Sequence, residues 1–435
     1  MVMATQLTEG EALATTIDEE AGGVDAPDLR YFVFALFFIF GGITSLNDIV
    51  APKLKELFTL NDFQMNLVNL AFFISYGLVS IPAAALVRRV GYMRGAAIGL
   101  TVMALGCFLF IPASQSGTFG LFLLAIFGLG AGITLVQVVA NPLISLLGPA
   151  RTVHSRLTFA QAFNSLGTTI FPFVGAALIL GSLATVDINT LTGDALSAYR
   201  TAETQMVVRT YLGLAVALLI VAAVVWSRRN RLPQRPRAGT NILKAFDLLG
   251  QLRFGWGASC IFLYVGAEVA IGTILVNYLG QENVWGMDPQ SAGKHVLYYW
   301  GGAMIGRFIG SYLLGRVSPG LLLAGVAGGA ITLILVSANS TGLIAGWAIL
   351  LIGLMNSIMF PTIFSLACEG LQKRAEEASG IICVAIVGGA IVPLIYGYVS
   401  DISTRQFALL VPALCYAVIA GFGIFARRPA VRRAA

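Results

Sequence analysis

Apolar stretches of span-forming length, divided by short polar or basic connections, run from Tyr31 almost to the end of the chain. A helix needs ~20 predominantly apolar residues to cross ~30 Å of hydrocarbon. Helices are the open-ended structure that lipid permits, because each unpaired backbone amide there costs several kcal/mol. The pattern predicts spans over 31–57, 62–87, 94–113, 119–147, 157–181 and 206–227, then 255–279, 291–314, 320–338, 342–368, 377–400 and 405–426. The second six repeat features of the first. Pro142 in NPLISLLG has a counterpart in Pro361 of FPTIFSLA, 219 residues on. Gly167, Ile170 and Pro172 (GxxIxP) recur as Gly388, Ile391 and Pro393, the prolines being 221 residues apart. Two matches at nearly one offset predict an all-α membrane protein of twelve transmembrane helices in two six-helix pseudo-repeats, with a site at mid-depth between them.

The remaining segments divide the chain. Residues 1–29 carry Glu9, Glu11, Asp18, Glu19 and Glu20 with no apolar core, and are expected to be a disordered tail. The first bundle is expected at 30–227, a basic, proline-containing linker at 228–254, the second bundle at 255–426 and a short tail at 427–435. Alternating the twelve spans puts 21 of the 27 Lys and Arg residues on the side of both termini and the linker, Arg307 among them. Both ends are therefore expected in the cytoplasm, with the chain in the cell (inner) membrane.

Composition narrows the class further. The chain is 57% hydrophobic and only 11% charged, less than half the charge of a soluble domain. A water-soluble enzyme and a nucleic-acid partner are excluded, and the net charge of +6 reads as a topology signal. All five cysteines (Cys107, Cys260, Cys368, Cys383, Cys415) lie in apolar runs, so neither a disulfide framework nor a metal site is expected. Zincin, phosphate-loop and nucleophile-elbow motifs are missing, and Gly257-Ala-Ser259-Cys-Ile261 lacks the second glycine of an elbow. No catalytic residue and no cofactor is expected. The partners are the lipid bilayer and a small molecule, with the chain expected to act as a monomer.

Polar residues inside the spans carry the candidate chemistry, since a charge at the bilayer centre costs ~2.5–3.5 kcal/mol on insertion scales. Asp48 shares one face of span 1 with Thr44 and Asn47, at spacing i, i+3, i+4. That face suits a proton on the carboxyl or a cation held by oxygens, unless Asp48 simply reaches the outer interface. Glu268 lies about twelve residues into span 7, as a second ion-coupling candidate or a structural partner within the bundle. Gln137, Gln161, Asn164, Asn277 and Asn356 each donate and accept, which a polyhydroxylated ligand leaving water requires. The same amides also serve as interhelical glue. Trp300, beside Tyr299, offers a stacking face or an ordinary interfacial aromatic. His154 and His295 lack metal spacing, and Gly302, Gly306 and Gly310 predict close helix packing.

The stretches SLNDIVAPKLK, LVQVVANPLISLLGP, SRLTFAQAFNSLGTTIFP, YVGAEVAIG, GGAMIGRFIGS and NSIMFPTIFSLACEGL resemble the fucose–proton symporter family of the major facilitator superfamily. QVVANP, AEVAIG and FPTIFSLACEG are most similar to its bacterial glucose/galactose transporter branch. The resemblance implies cation-coupled symport of a hexose by alternating access, with H⁺ favoured over Na⁺. An uncoupled uniporter and a non-transporting sugar sensor remain open. In the fucose permeases two carboxylates titrate, in spans 1 and 4. Asp48 matches the first position, while Gln137 stands at the second, a departure from the two-carboxylate relay that leaves a hydrogen-bonding amide for a glucose-like ligand. Gln161 and Asn164 match the family's sugar-contacting stretch.

Overall fold

The computed structural model describes residues 27–58, 62–116, 118–175, 193–231 and 242–428. These form twelve helical rods: α1 Pro27–Phe58, α2 Asp62–Val90, α3 Tyr92–Ser116, α4 Phe119–Leu146, α5 Val153–Gly175 and α6 Gly193–Ser227. The second set is α7 Leu252–Leu279, α8 Pro289–Leu314, α9 Pro319–Asn339, α10 Gly342–Ala367, α11 Ala375–Ile402 and α12 Arg405–Ala426. Ten of the twelve are long and apolar enough among the described residues to cross a membrane. The exceptions are α5 and α8, which carry the polar residues discussed below. Of the expected tail at 1–29, residues 27–29 open α1, whereas 1–26, the end of span 5 beyond Gly175, the middle of the linker at 232–241 and the last residues from 429 lie outside the described residues.

Packing repeats with the sequence. Within the first six rods the main contacts are α1 with α5, α2 with α4, α3 with α4 and α3 with α6. Within the second six the same four pairs recur displaced by six, α7 with α11, α8 with α10, α9 with α10 and α9 with α12, and α7 packs on α10 and α12 as well. The repeated GxxIxP glycines show why. A Cβ on Gly167 would strike the Phe38 carbonyl of α1, and one on Gly388 would strike the Phe262 carbonyl of α7. In each half a small residue lets two backbones cross in contact. The glycines of α8 act likewise: Gly302, Gly306 and Gly310 press on Leu354, Ser357 and Ile358 of α10.

The basic residues at one end of the rods do structural work. Arg30 Nε donates to the Leu147 carbonyl at 3.1 Å, closing the end of α4. Arg253 Nε donates to the Leu366 carbonyl at 2.8 Å, closing the end of α10. Both satisfy carbonyls that a helix end leaves without intrahelical partners. At the opposite end, Asp288 caps α8 by accepting from the backbone amides of Gln290 and Ser291, both at 3.0 Å, with Pro289 at the first helical position. The linker is not all loop. Ile242–Gly250 forms a 3₁₀ helix whose Ala245 and Leu248, one turn apart, are buried.

Candidate functional site

The two halves meet along two seams. In one, α5 and α8 run antiparallel. Ser311 Oγ donates to the Ser155 carbonyl at 3.1 Å, and Phe159 meets Phe308 edge to face at 6.0 Å between centroids. Farther from the basic end, Arg307 donates to Ser165 Oγ and to the Gln161 carbonyl at 3.3 Å, and Thr169 donates to Met304 Sδ at 3.9 Å. In the other seam α2 runs beside α11, with Arg88 paired to Glu377 and Gly380 packed on Ala84 and Ser80. Between them His154 Nδ1 lies 2.7 Å from Ser365 Oγ, joining the start of α5 to α10. These contacts run from the basic end to about mid-depth.

In the first half, Gln137 on α4 is buried and its Oε1 accepts from the Tyr76 hydroxyl of α2 at 3.0 Å. Gln161 and Asn164 stand one turn apart near the middle of α5. Asn164 Nδ2 donates to the Phe37 carbonyl of α1 at 3.3 Å, leaving its Oδ1 as an acceptor. Gln161 is 4% exposed, and its side-chain amide makes no hydrogen bond with any described residue. Thr44 bonds to its own helix, its hydroxyl donating to the Phe40 carbonyl at 2.8 Å. Asn47 and Asp48 fall within α1, but their side chains lie outside the described residues.

In the second half a closed polar ring surrounds the break in α10, where helix Gly342–Asn356 ends and Met359–Ala367 begins. The Tyr264 hydroxyl donates to Glu268 Oε1 at 2.7 Å and lies 3.1 Å from the Asn356 carbonyl. Asn356 Nδ2 donates to the Tyr299 hydroxyl at 2.8 Å, which in turn donates to the Glu268 carbonyl at 3.2 Å. Asn356 Oδ1 is buried with no hydrogen-bond partner among the described residues. Trp300 is 38% exposed and stands edge-on to Tyr299. Asn277 is away from this group: it is exposed near the far end of α7, and its carbonyl accepts from Arg405 at 3.1 Å.

Arg307 departs from the sequence reading. Counted there among the charges of the basic end, it is 8% exposed and sits inside α8, at the junction of both halves. Its place in the apolar run GGAMIGRFIGS, well before the helix ends at Leu314, was the available signal. Tyr264 was likewise legible at spacing i, i+4 from Glu268. The Tyr76–Gln137 contact joins two spans and has no local signature. Among the described residues no cluster of His, Cys, Asp or Glu has the arrangement of a metal site.

Comparisons with known proteins bear on this arrangement. Residues 32–393 match the profile of the Major Facilitator Superfamily. The chain is 46% identical over 389 residues to the glucose/galactose transporter of Brucella abortus, covering 89% of this chain and 92% of that protein. It is 33% identical to the L-fucose-proton symporter of Escherichia coli, covering 94% and 95%. The crystal structure of the superfamily transporter FucP in the outward conformation superimposes with a TM-score of 0.83 at 32% identity, over 92% of this chain and 99% of that one.

Proposed function

The chain belongs to the major facilitator superfamily, and from that membership we propose that it imports a hexose such as glucose or galactose with a cation, H⁺ favoured, by alternating access. The carrying observation is the joining of the two halves from the basic end to mid-depth, with amides from the first half and a carboxylate ring from the second beside that junction. The named substrates of the Brucella relative and the named proton coupling of the Escherichia relative support the choice of ligand and ion. In this reading the protein is a transporter and not an enzyme, and the basic end faces the cytoplasm across the inner membrane, as does each terminus. The units are the bundles 30–227 and 255–426 with the 228–254 linker, acting as a monomer.

Gln137, Gln161 and Asn164 hold the sugar from the first half, with Asn356 and Trp300 facing them and Asn277 at the outer approach. A buried hydroxyl site rejects ligands that leave its groups unpaired, which gives selectivity for a polyol over an apolar compound. Asp48, assisted by Thr44 and Asn47, takes the coupling ion, with Glu268 as the second ionisable group. One cation moving through 100 mV releases ~2.3 kcal/mol, enough for roughly 50-fold accumulation.

Labelled glucose uptake into proteoliposomes, with proton and sodium gradients imposed separately, tests the proposal. Accumulation driven by the proton gradient is expected. Accumulation driven by sodium alone would replace the ion, equilibration without accumulation would make the chain a uniporter, and binding without uptake would make it a sensor.

A further inference from the structure

Arg307 is a buried cation with an unusual set of partners. Its Nε donates to the Ser357 carbonyl of its own half at 3.2 Å. Its Nη1 donates across the seam, to the Gln161 carbonyl at 3.3 Å and to Ser165 Oγ. All of these acceptors are neutral, and no carboxylate lies within ion-pair distance among the described residues. A guanidinium inside the membrane is tolerable only while its donors are used, because removing a buried charge's partners costs several kcal/mol. Two of its three partners belong to the other half, so parting the halves at the basic end strips them away.

The second half offers an alternative. Arg307 and Glu268 are tied to consecutive residues at the break of α10. Arg307 is held at Ser357, while Glu268 is linked through Tyr264 to Asn356. The break is therefore a common footing for the two charges.

We propose that Arg307 is a positioning residue with two resting places: across the seam on Gln161 and Ser165 while the basic end is closed, and on Glu268 when that end opens. It thereby sets the balance between the two access states. This rests on the alternating-access reading above, but not on the identity of the sugar or the ion. The side chains have opposite effects by construction. Ser165 favours the closed state, Glu268 favours the open one, and Arg307 joins them.

Hydrogen exchange at the basic ends of α5 and α8, followed by mass spectrometry on the full chain in nanodiscs without sugar, reads this balance directly. Arg307→Gln removes both resting places at once, so exchange over residues 153–160 and 305–312 should fall between the values of the two variants that each remove one place. Ser165→Ala, which leaves the charge in place, should raise it ~3-fold. Glu268→Gln, removing the second resting place, should lower it below the parent. A role limited to packing predicts faster exchange in all three variants. Should Arg307→Gln fail to fold, Ser165→Ala and Glu268→Gln still test the opposition. Unchanged exchange in Ser165→Ala, or Glu268→Gln moving exchange upward, overturns the proposal, whatever the uptake assay reports about sugar.

Discussion

The two seams that join the halves are equivalent by the repeat, α5 with α8 and α11 with α2, yet they are fastened by different physics. The α2–α11 seam closes at its rim with opposite charges: Arg88 pairs with Glu377, and Arg374 bridges Glu377 to Asp247 of the linker helix at 2.5 and 2.7 Å. The α5–α8 seam has serines, phenylalanines and a single deep cation on neutral acceptors. A rim ion pair meets water as soon as the seam parts and recovers hydration for what it loses. A deep cation has no such exchange and needs a second partner. The rim therefore suits a simple latch, and the interior suits a switch.

The largest effect is expected at the rim. Glu377 is shared by two arginines, and its side chain and that of Arg88 are only 10% and 16% exposed. Removing one member of a buried pair costs ~3–5 kcal/mol, and partial exposure lowers this to ~2–3 kcal/mol, a factor of roughly 30–150. Glu377→Gln should open the basic ends of α2 and α11 to hydrogen exchange by about that factor. Exchange at the parent rate there would mean that the rim does not hold the halves together.

The seams also differ in what they bring to the proposed sugar site. Gln161 and Asn164 lie on α5 among its seam residues, whereas the α2–α11 seam carries none of the proposed ligand groups. Asn164→Ala should cost ~1–3 kcal/mol, or about 5- to 150-fold in glucose affinity by calorimetry. Wild-type affinity in that variant would take Asn164 out of the site.

How much of this was legible differs between the same regions. Span positions and the half-repeat were readable because hydrophobicity and Gly/Pro placement act locally: Gly167 and Gly388 mark backbone crossings that only a small residue permits. Glu268 with Tyr264 was readable at helical spacing. Arg307 was assigned to the basic end because a count of charges by side carries no depth, and its partners across the seam come from a helix more than a hundred residues away. The linker helix at Ile242–Gly250 was missed because the basic, proline-containing stretch before it set the reading of the whole linker, although ILKAFDLLG is itself largely apolar and packs on α7, α2 and α11.

A smaller effect is expected where α5 begins. The contact from His154 Nδ1 to Ser365 Oγ is a single, partly buried hydrogen bond between the halves, worth ~0.5–1.5 kcal/mol. His154→Ala should raise exchange at residues 153–157 by ~2- to 13-fold. No rise would assign the closure of this end to the two seams alone.

The smallest effect belongs to Asp247, at the outermost point of the charged rim. Its hydrogen bonds and charge pairing with Arg374 hold its carboxyl below the usual carboxylate range. A depressed value in the folded protein means that the contribution is complete above the ordinary carboxylate pKa of ~3.9 and fades as the pH falls through the lowered value. The difference between parent and Asp247→Asn should therefore be flat from pH 5 to 8 and vanish only under strong acid. Because this carboxylate is exposed to water, the difference should also shrink when salt is raised from 0.1 to 1 M, as the screening length falls from ~10 to ~3 Å. The change produced by Ser165→Ala at the deep cation should not respond to salt, since that site is shut off from ions. Hydrogen exchange of both variants at the two salt concentrations makes the comparison within one experiment. Equal salt sensitivity at the two seams would show that the interior cation is as accessible as the rim, and the division between latch and switch would fall.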